Sequence, residues 1–173
     1  MEGEETATQD EGKILVGIPL YNSEETIASI VISSMKYSDE VVCIDDFSTD
    51  LSAEIAKKSG ATVISHDRNR GVGGVAKTLF NYAKEENASI VILIDSDGQH
   101  DPEDLPKLIE PLKKGKADLV IGSRFVSGGG SKDMPTYRKF GLKLINTVSK
   151  WHSKQLVRDT QSGYRAFNKK AIN

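Results

Sequence analysis

The stretch IVILIDSDGQHDPE (Ile90–Glu103) carries Asp95, Asp97, Gln99, His100 and Asp101 in close succession. One residue separates the first two carboxylates, and the amide of Gln99 follows two positions on. Carboxylates and an amide are hard oxygen ligands, the set that suits Mg²⁺ or Mn²⁺. The simplest use of an ion held this way is to carry a diphosphate. The apolar run Ile90–Ile94 delivers these groups, and a continuous apolar run is how a strand buried on both faces reads. Open α/β sheets bind ligands at the carboxyl ends of such strands. Asp101 before Pro102 reads as the N-cap and first residue of a helix. Capping leaves Asp95 and Asp97 unexplained.

Other polar groups cluster at other predicted strand ends. VVCIDDFSTD places Asp45 and Asp46 where a second apolar run stops, with Ser48 or Asp50 to cap the next helix. Acids at such an end accept hydrogen bonds from a ribose or a base N–H. A receiver-domain reading of the paired acids leaves Gln99 and the later basic motifs without a role. In IPLYNSEETI, Pro19 and Asn22 end the first strand, Ser23 is the expected N-cap, and Pro19–Glu24 forms one wall of a nucleotide pocket. HDRNRGVGGVAKT matches two phosphate-binding patterns loosely, a dinucleotide fingerprint from Gly71 and a P-loop with Ala76 where glycine is required. Both patterns should follow their strand directly, and here HDRNR intervenes. A glycine-rich loop opening a helix still approaches a nucleotide, and Arg70 is placed to touch a phosphate. LVIGSRF brings Arg124 to the same edge as Asp95, and Arg138, Lys139 and Arg165 follow. Arginine pairs with phosphate through a bidentate fork.

These groups need a scaffold, and the patterning supplies one. Strands read at residues 13–18, 40–44, 62–65, 89–94 and 119–122. Helices read at about 23–35, 50–59, 74–86, 102–114 and 137–152. Repeated strand–helix units predict an α/β fold with a mostly parallel sheet flanked by helices on both faces. The last helix carries Tyr137, Phe140, Leu144, Val148 and Trp151 on one stripe, which reads as a face packed on the sheet or as a basic amphipathic surface beside a membrane. GGGSKDMP from Gly128 reads as a flexible loop.

The 173 residues fit one domain with a real core. The single cysteine, Cys43, excludes an internal disulfide framework and reads as a core residue. No apolar run approaches the roughly 18–20 residues that span a bilayer. MEGEETATQDEG has neither the basic nor the apolar region of a signal peptide, so residues 1–12 are expected to be a disordered acidic tail. The net charge of −2 hides an asymmetry: from Arg124 onward there are eleven Lys/Arg and two acids. A basic segment beside an acidic one suggests an anionic partner such as phosphate or a membrane surface. Nucleic acid is the least supported partner, since aromatics are few there and no recognition motif occurs.

Together these segments resemble glycosyltransferase family 2, of the Rossmann-like GT-A fold, and within it the dolichyl- or polyprenyl-phosphate sugar synthases. IPLYNSEETI, DDFSTD, NRGVGG, DSDGQHDPE, GSRF, YRK and DTQSGYRAF run in the family's order and cover nearly everything from Lys13 to Phe167. The resemblance implies that Asp95, Asp97 and Gln99 hold Mg²⁺ or Mn²⁺ on the donor diphosphate, with Ser96 beside them. It implies that Pro19, Tyr21, Glu24 and Asp46 line the nucleoside pocket, supported by Asp45 and Arg70. Arg124, Arg138 and Arg165 would contact phosphate of donor or acceptor. Asp159, Gln161, Ser162 and Lys139 would shape the sugar and acceptor end. Residues 13–173 would be the catalytic domain, truncated before the further helices that such synthases add.

The implied reaction is inverting transfer of a hexosyl group from GDP-mannose or a UDP-hexose to dolichyl or polyprenyl phosphate, peripherally at the cytoplasmic face of a membrane. A phosphate monoester acceptor is already substantially ionised near neutral pH. It needs positioning and charge compensation more than a base. A sugar or protein hydroxyl as acceptor would demand a carboxylate base. A nucleotide-sugar-binding module without transfer is the reading from a different class.

Overall fold

The computed structural model describes residues 12–122 and 163–173. Six strands form one sheet: β1 (Ile14–Leu20), β2 (Glu40–Asp45), β3 (Thr62–Ser65), β4 (Ile90–Leu93), β5 (Leu119–Ile121) and β6 (Arg165–Asn168). The order is β3-β2-β1-β4-β6-β5. β3, β2, β1 and β4 pair in parallel, while β6 runs antiparallel to both β4 and β5. Helices α1 (Ile27–Ser34), α2 (Ser52–Lys58), α3 (Gly71–Glu85), α4 (Leu105–Lys113) and α5 (Lys169–Ile172), with a 3₁₀ turn at Pro102–Asp104, complete the described elements.

Side chains alternate across a strand, and here both faces are apolar. Val16, Ile18, Leu20, Val41, Cys43, Ile90 and Ile92 join one core with Ile27, Ile30 and Val31 of α1, Ala56 of α2 and Leu105, Leu108 and Leu112 of α4. The neighbours Leu15, Val42, Ile44 and Val91 join the opposite core with Val75, Leu79 and Ala83 of α3 and Ile172 of α5. Double-sided burial explains why the strands read as unbroken apolar runs. At the amino edge of the sheet, Lys13 bridges Glu40 (2.7 Å) and Glu86 (2.5 Å). Hydrogen bonds that Lys13 donates to these two carboxylates raise its pKa well above the usual lysine range.

The structure shifts several expected boundaries. β1 runs on through Pro19 to Leu20. Ser23 does not cap α1: its carbonyl accepts from Thr26 N (3.2 Å) and Ile27 N (3.1 Å) in a preceding turn, and the helix starts at Ile27. Asp101 does cap, accepting from Glu103 N at 2.9 Å, but it opens a short 3₁₀ turn, Pro102–Asp104, before α4. α3 starts at Gly71, where a φ of +68° suits glycine. β6 and α5 lie within DTQSGYRAF and its sequel, a stretch whose pattern predicted no element. The predicted tail, the loop from Gly128 and the predicted helix 137–152 lie outside the described residues.

Candidate active site at the carboxyl edge of the sheet

β1 pairs with β2 on one side and β4 on the other, so the chain's direction of travel across the sheet reverses there. In open α/β sheets this reversal opens the ligand crevice. Ser96 is tied across it twice. Its hydroxyl meets Ser23 Oγ at 2.9 Å, and its carbonyl accepts from Thr26 Oγ1 at 2.5 Å. Ser96 therefore anchors the turn that presents Asp95 and Asp97 on either side. Asp97 Oδ1 accepts from Gln99 N at 2.9 Å and closes the turn around Gly98, whose φ is +73°. The Asp95 side chain remains 42% exposed, with buried His100 Nε2 3.9 Å from its Oδ2. The His100 ring lies 4.9 Å from that of Tyr164, whose hydroxyl donates to the Asp101 carbonyl at 3.3 Å. β6 brings Arg165 to this edge, opposite Leu93 on one side and Ile121 on the other.

A second set of bonds joins the ends of β1 and β2. Leu20 O accepts from Asp46 N (2.9 Å), Ser48 Oγ from Asn22 N (3.1 Å), and Asn22 Oδ1 from Thr49 N (2.9 Å). Glu24 is committed to this joint: its carboxylate accepts from Leu51 N at 3.0 Å. Asp45 Oδ1 accepts from Ser48 N at 3.1 Å. Between these ties sit Tyr21 and Phe47, both half-exposed aromatics, with Phe47 held at φ +71°. A bulky residue in the left-handed region is an outlier of the kind that gathers at ligand sites.

Asp46 is buried and fully engaged on its Oδ1, which takes His66 Nδ1 (2.7 Å) and Arg70 N (2.8 Å); Oδ2 takes Gly71 N (2.8 Å). Burial opposes its ionisation, but these hydrogen bonds outweigh it and hold the carboxyl below the usual aspartate range. The Arg70 guanidinium reaches Asp67 at 2.7 Å. Arg124, Arg138, Lys139, Asp159, Gln161 and Ser162 lie outside the described residues. Sequence reasoning missed Gly163, which abuts Asp95. It also gave no role to His66 or Phe47.

Among the described residues no three His, Cys, Asp or Glu side chains converge on a metal position. The residues present still fit a small divalent ion. Mg²⁺ commonly takes one or two carboxylates, keeps waters, and completes its shell with substrate phosphate. Asp95 and Asp97 supply two carboxylates at one turn and Gln99 an amide, all of them hard donors.

Residues 15–173 match the family model of glycosyl transferase family 2. A UDP-N-acetylglucosamine–dolichyl-phosphate N-acetylglucosaminyltransferase of Methanococcus voltae is 32% identical, over 90% of this chain and 69% of its own length. A dolichol-phosphate mannosyltransferase of Pyrococcus furiosus is 31% identical, over 92% of this chain and 47% of its own length. Among solved structures, glucosyl-3-phosphoglycerate synthase of Mycobacterium tuberculosis with Mn²⁺ and UDP-glucose superposes with a TM-score of 0.69 at 26% identity, covering 92% of this chain and 57% of that one. The chain thus spans about half to two thirds of the length of the proteins it matches.

Proposed function

The chain belongs to glycosyl transferase family 2, with the GT-A fold of its structural neighbours, and on that premise we propose that it transfers a hexosyl group from a nucleoside-diphosphate sugar to a polyprenyl or dolichyl phosphate. The observation that carries this reading is the Asp95–Ser96–Asp97 turn, pinned by Ser23 and Thr26 at the point where the sheet reverses. A divalent ion bound there supplies Lewis-acid stabilisation of the departing diphosphate. Asp95, Asp97 and Gln99 bind that ion. Pro19, Tyr21, Glu24, Asp45 and Asp46 form the nucleoside side of the crevice, with Arg70 beside it. Arg165 holds positive charge at the edge where the phosphates gather, and Arg124 and Arg138 add to it. Asp159, Gln161, Ser162 and Lys139 serve the sugar and acceptor. An ionised phosphate acceptor needs this charge compensation and no separate base.

The names of relatives support a lipid-phosphate acceptor. No helix among the described residues is long and apolar enough to cross a membrane, and the proposed place of action is the cytoplasmic face, peripherally. A second reading comes from solved neighbours that hold UDP, Mn²⁺ and phosphoglyceric acid: a small phosphorylated acceptor that offers a hydroxyl. Calorimetric titration with GDP-mannose, UDP-glucose and UDP-N-acetylglucosamine, each with Mn²⁺ and with EDTA, tests the donor site. One donor should bind, and only with metal. Absence of binding by all three, or binding indifferent to EDTA, overturns the reading. Transfer from that donor to polyprenyl phosphate, against phosphoglycerate, then separates the two acceptors.

A further inference from the structure

His66 and Thr78 are the two ends of HDRNRGVGGVAKT, the segment whose loose phosphate-binding patterns the site does not use. In the fold those ends meet, with His66 Nε2 2.8 Å from Thr78 Oγ1. His66 directly follows β3 and is buried, and its main-chain N–H donates to Asp45 O at 2.8 Å. Its other ring nitrogen, Nδ1, lies 2.7 Å from Asp46 Oδ1.

The chemistry of the partners assigns the ring's protons. An ionised carboxylate only accepts, so Nδ1 carries the proton. In the neutral ring Nε2 is then an acceptor, and the Thr78 hydroxyl donates to it. Asp46 has about four lone-pair sites. His66 and the Arg70 amide occupy Oδ1, and the Gly71 amide takes one position on Oδ2. One site on Oδ2 remains.

We infer that His66 is a positioning residue for donor binding, acting with Thr78 through Asp46. The pair fixes the rotation of the Asp46 carboxylate. So fixed, the carboxylate grips the start of α3 with two main-chain hydrogen bonds and keeps its last acceptor site for a ribose hydroxyl or base N–H of the nucleoside. In a carboxylate–histidine pair one member can touch the ligand while the other holds it in orientation. The inference rests on the donor being a nucleoside-diphosphate sugar bound at this edge.

The test uses the whole chain and the donor found by the titration above, with Mn²⁺. Calorimetry of wild type, His66→Ala, His66→Asn and Thr78→Val is paired with thermal midpoints and with long-range ¹H–¹⁵N spectra of the His66 ring. The ring should show the Nδ1–H tautomer in wild type. His66→Ala should weaken donor binding about tenfold or more. His66→Asn, whose amide N–H reaches Asp46 in place of Nδ1–H, should recover most of that loss, even where its midpoint stays as low as that of His66→Ala. Thr78→Val should weaken binding less than His66→Ala. An Nε2–H tautomer, wild-type affinity in His66→Ala, or equal loss in the Ala and Asn variants overturns the assignment and leaves the transferase reading standing. A wild-type chain that binds no donor overturns both.

Discussion

Gly163 packs its Cα against the carboxylate of Asp95: a Cβ at Gly163 would lie 2.5 Å from Asp95 Cγ, and closer still to both oxygens. The antiparallel pairing of β6 with β4 creates this contact. Leu93 is opposite Arg165, and two more residues along that register bring Asp95 opposite Gly163. The two most specific motifs of the chain, DSDGQHDPE and DTQSGYRAF, therefore touch, the first residue of one against the middle of the other. A side chain at Gly163 and the observed carboxylate position exclude one another.

Gly163→Ala should accordingly displace Asp95 and disable the proposed metal site while sparing the cores. Misplacing a reacting or binding group by about 1 Å costs up to roughly a hundredfold. Mn²⁺-dependent donor affinity measured by calorimetry should fall by one to two orders of magnitude, roughly, with the thermal midpoint little changed. Wild-type affinity in this variant would show that the Asp95 position is not needed.

Asp97 accepts a hydrogen bond from Gln99 N, and the proposed function gives it a second, separable duty as a charge for the ion. Asp97→Asn keeps the acceptor and loses the charge; Asp97→Ala loses both. Both variants should lose EDTA-sensitive donor binding. Only Asp97→Ala should also loosen the turn, read as faster amide exchange at Gln99. Retention of metal-dependent binding by Asp97→Asn would refute an ionic role.

Gly17 lies at the centre of β1, where the Leu79 side chain of α3 fills the space of a Cβ, with Cδ1 2.5 Å from that position. Gly17→Ala overpacks this contact, at a cost of roughly 1–3 kcal/mol. Urea denaturation should show the loss, and adding Leu79→Ala should cost less in this background than in wild type. Additive losses would mean that the two residues do not compete for the same space.

Asp46 makes the acid side of stability predictable. Its native carboxyl titrates below the usual aspartate range because, although burial opposes ionisation, hydrogen bonds from His66, Arg70 N and Gly71 N stabilise the charge. The native state thus binds fewer protons than the unfolded chain, whose aspartates titrate at about 3.9. The resulting stabilisation is complete above that value and is lost as pH falls through the lower native one. The stability gap between wild type and Asp46→Asn, from urea curves at stepped pH, should be constant down to about pH 5 and should shrink below about pH 4. A gap at about pH 3 as large as at about pH 5 would contradict the ionised, hydrogen-bonded carboxylate.

Cys43 is fully buried, and burial, with the nearby charge of Asp45, pushes its thiol up to about 12. The thiolate is the reactive form. A thiol reagent at neutral pH should leave the native protein unlabelled and label it fully in denaturant. Rapid labelling of the native form would mean that the β2 core opens readily.

Local chemistry made much of this protein readable in one dimension. Ile90–Ile94 is apolar throughout because both faces of its strand are covered, so the run itself announced a buried parallel strand with Asp95 and Asp97 at its end. The Asp101 cap was equally legible, since capping needs only the residue and the two that follow it. Arg165–Asn168 was not. RAFN lacks the β-branched residues that mark the equally short β3, β4 and β5, and its antiparallel place between β4 and β5 is settled by pairing with strands distant in the chain.

The same division runs through the site. Residue types and spacing determined that hard oxygen donors stand at strand ends and that arginines follow in the chain. Only the tertiary structure decided that Ser23 ties Ser96 instead of capping a helix, that Asp46 is gripped by His66 and the start of α3, and that Gly163 must lack a side chain because Asp95 occupies its place. Hydrogen bonds and excluded volume act between atoms that meet in space, and the sequence distance between such atoms carries no trace of the meeting.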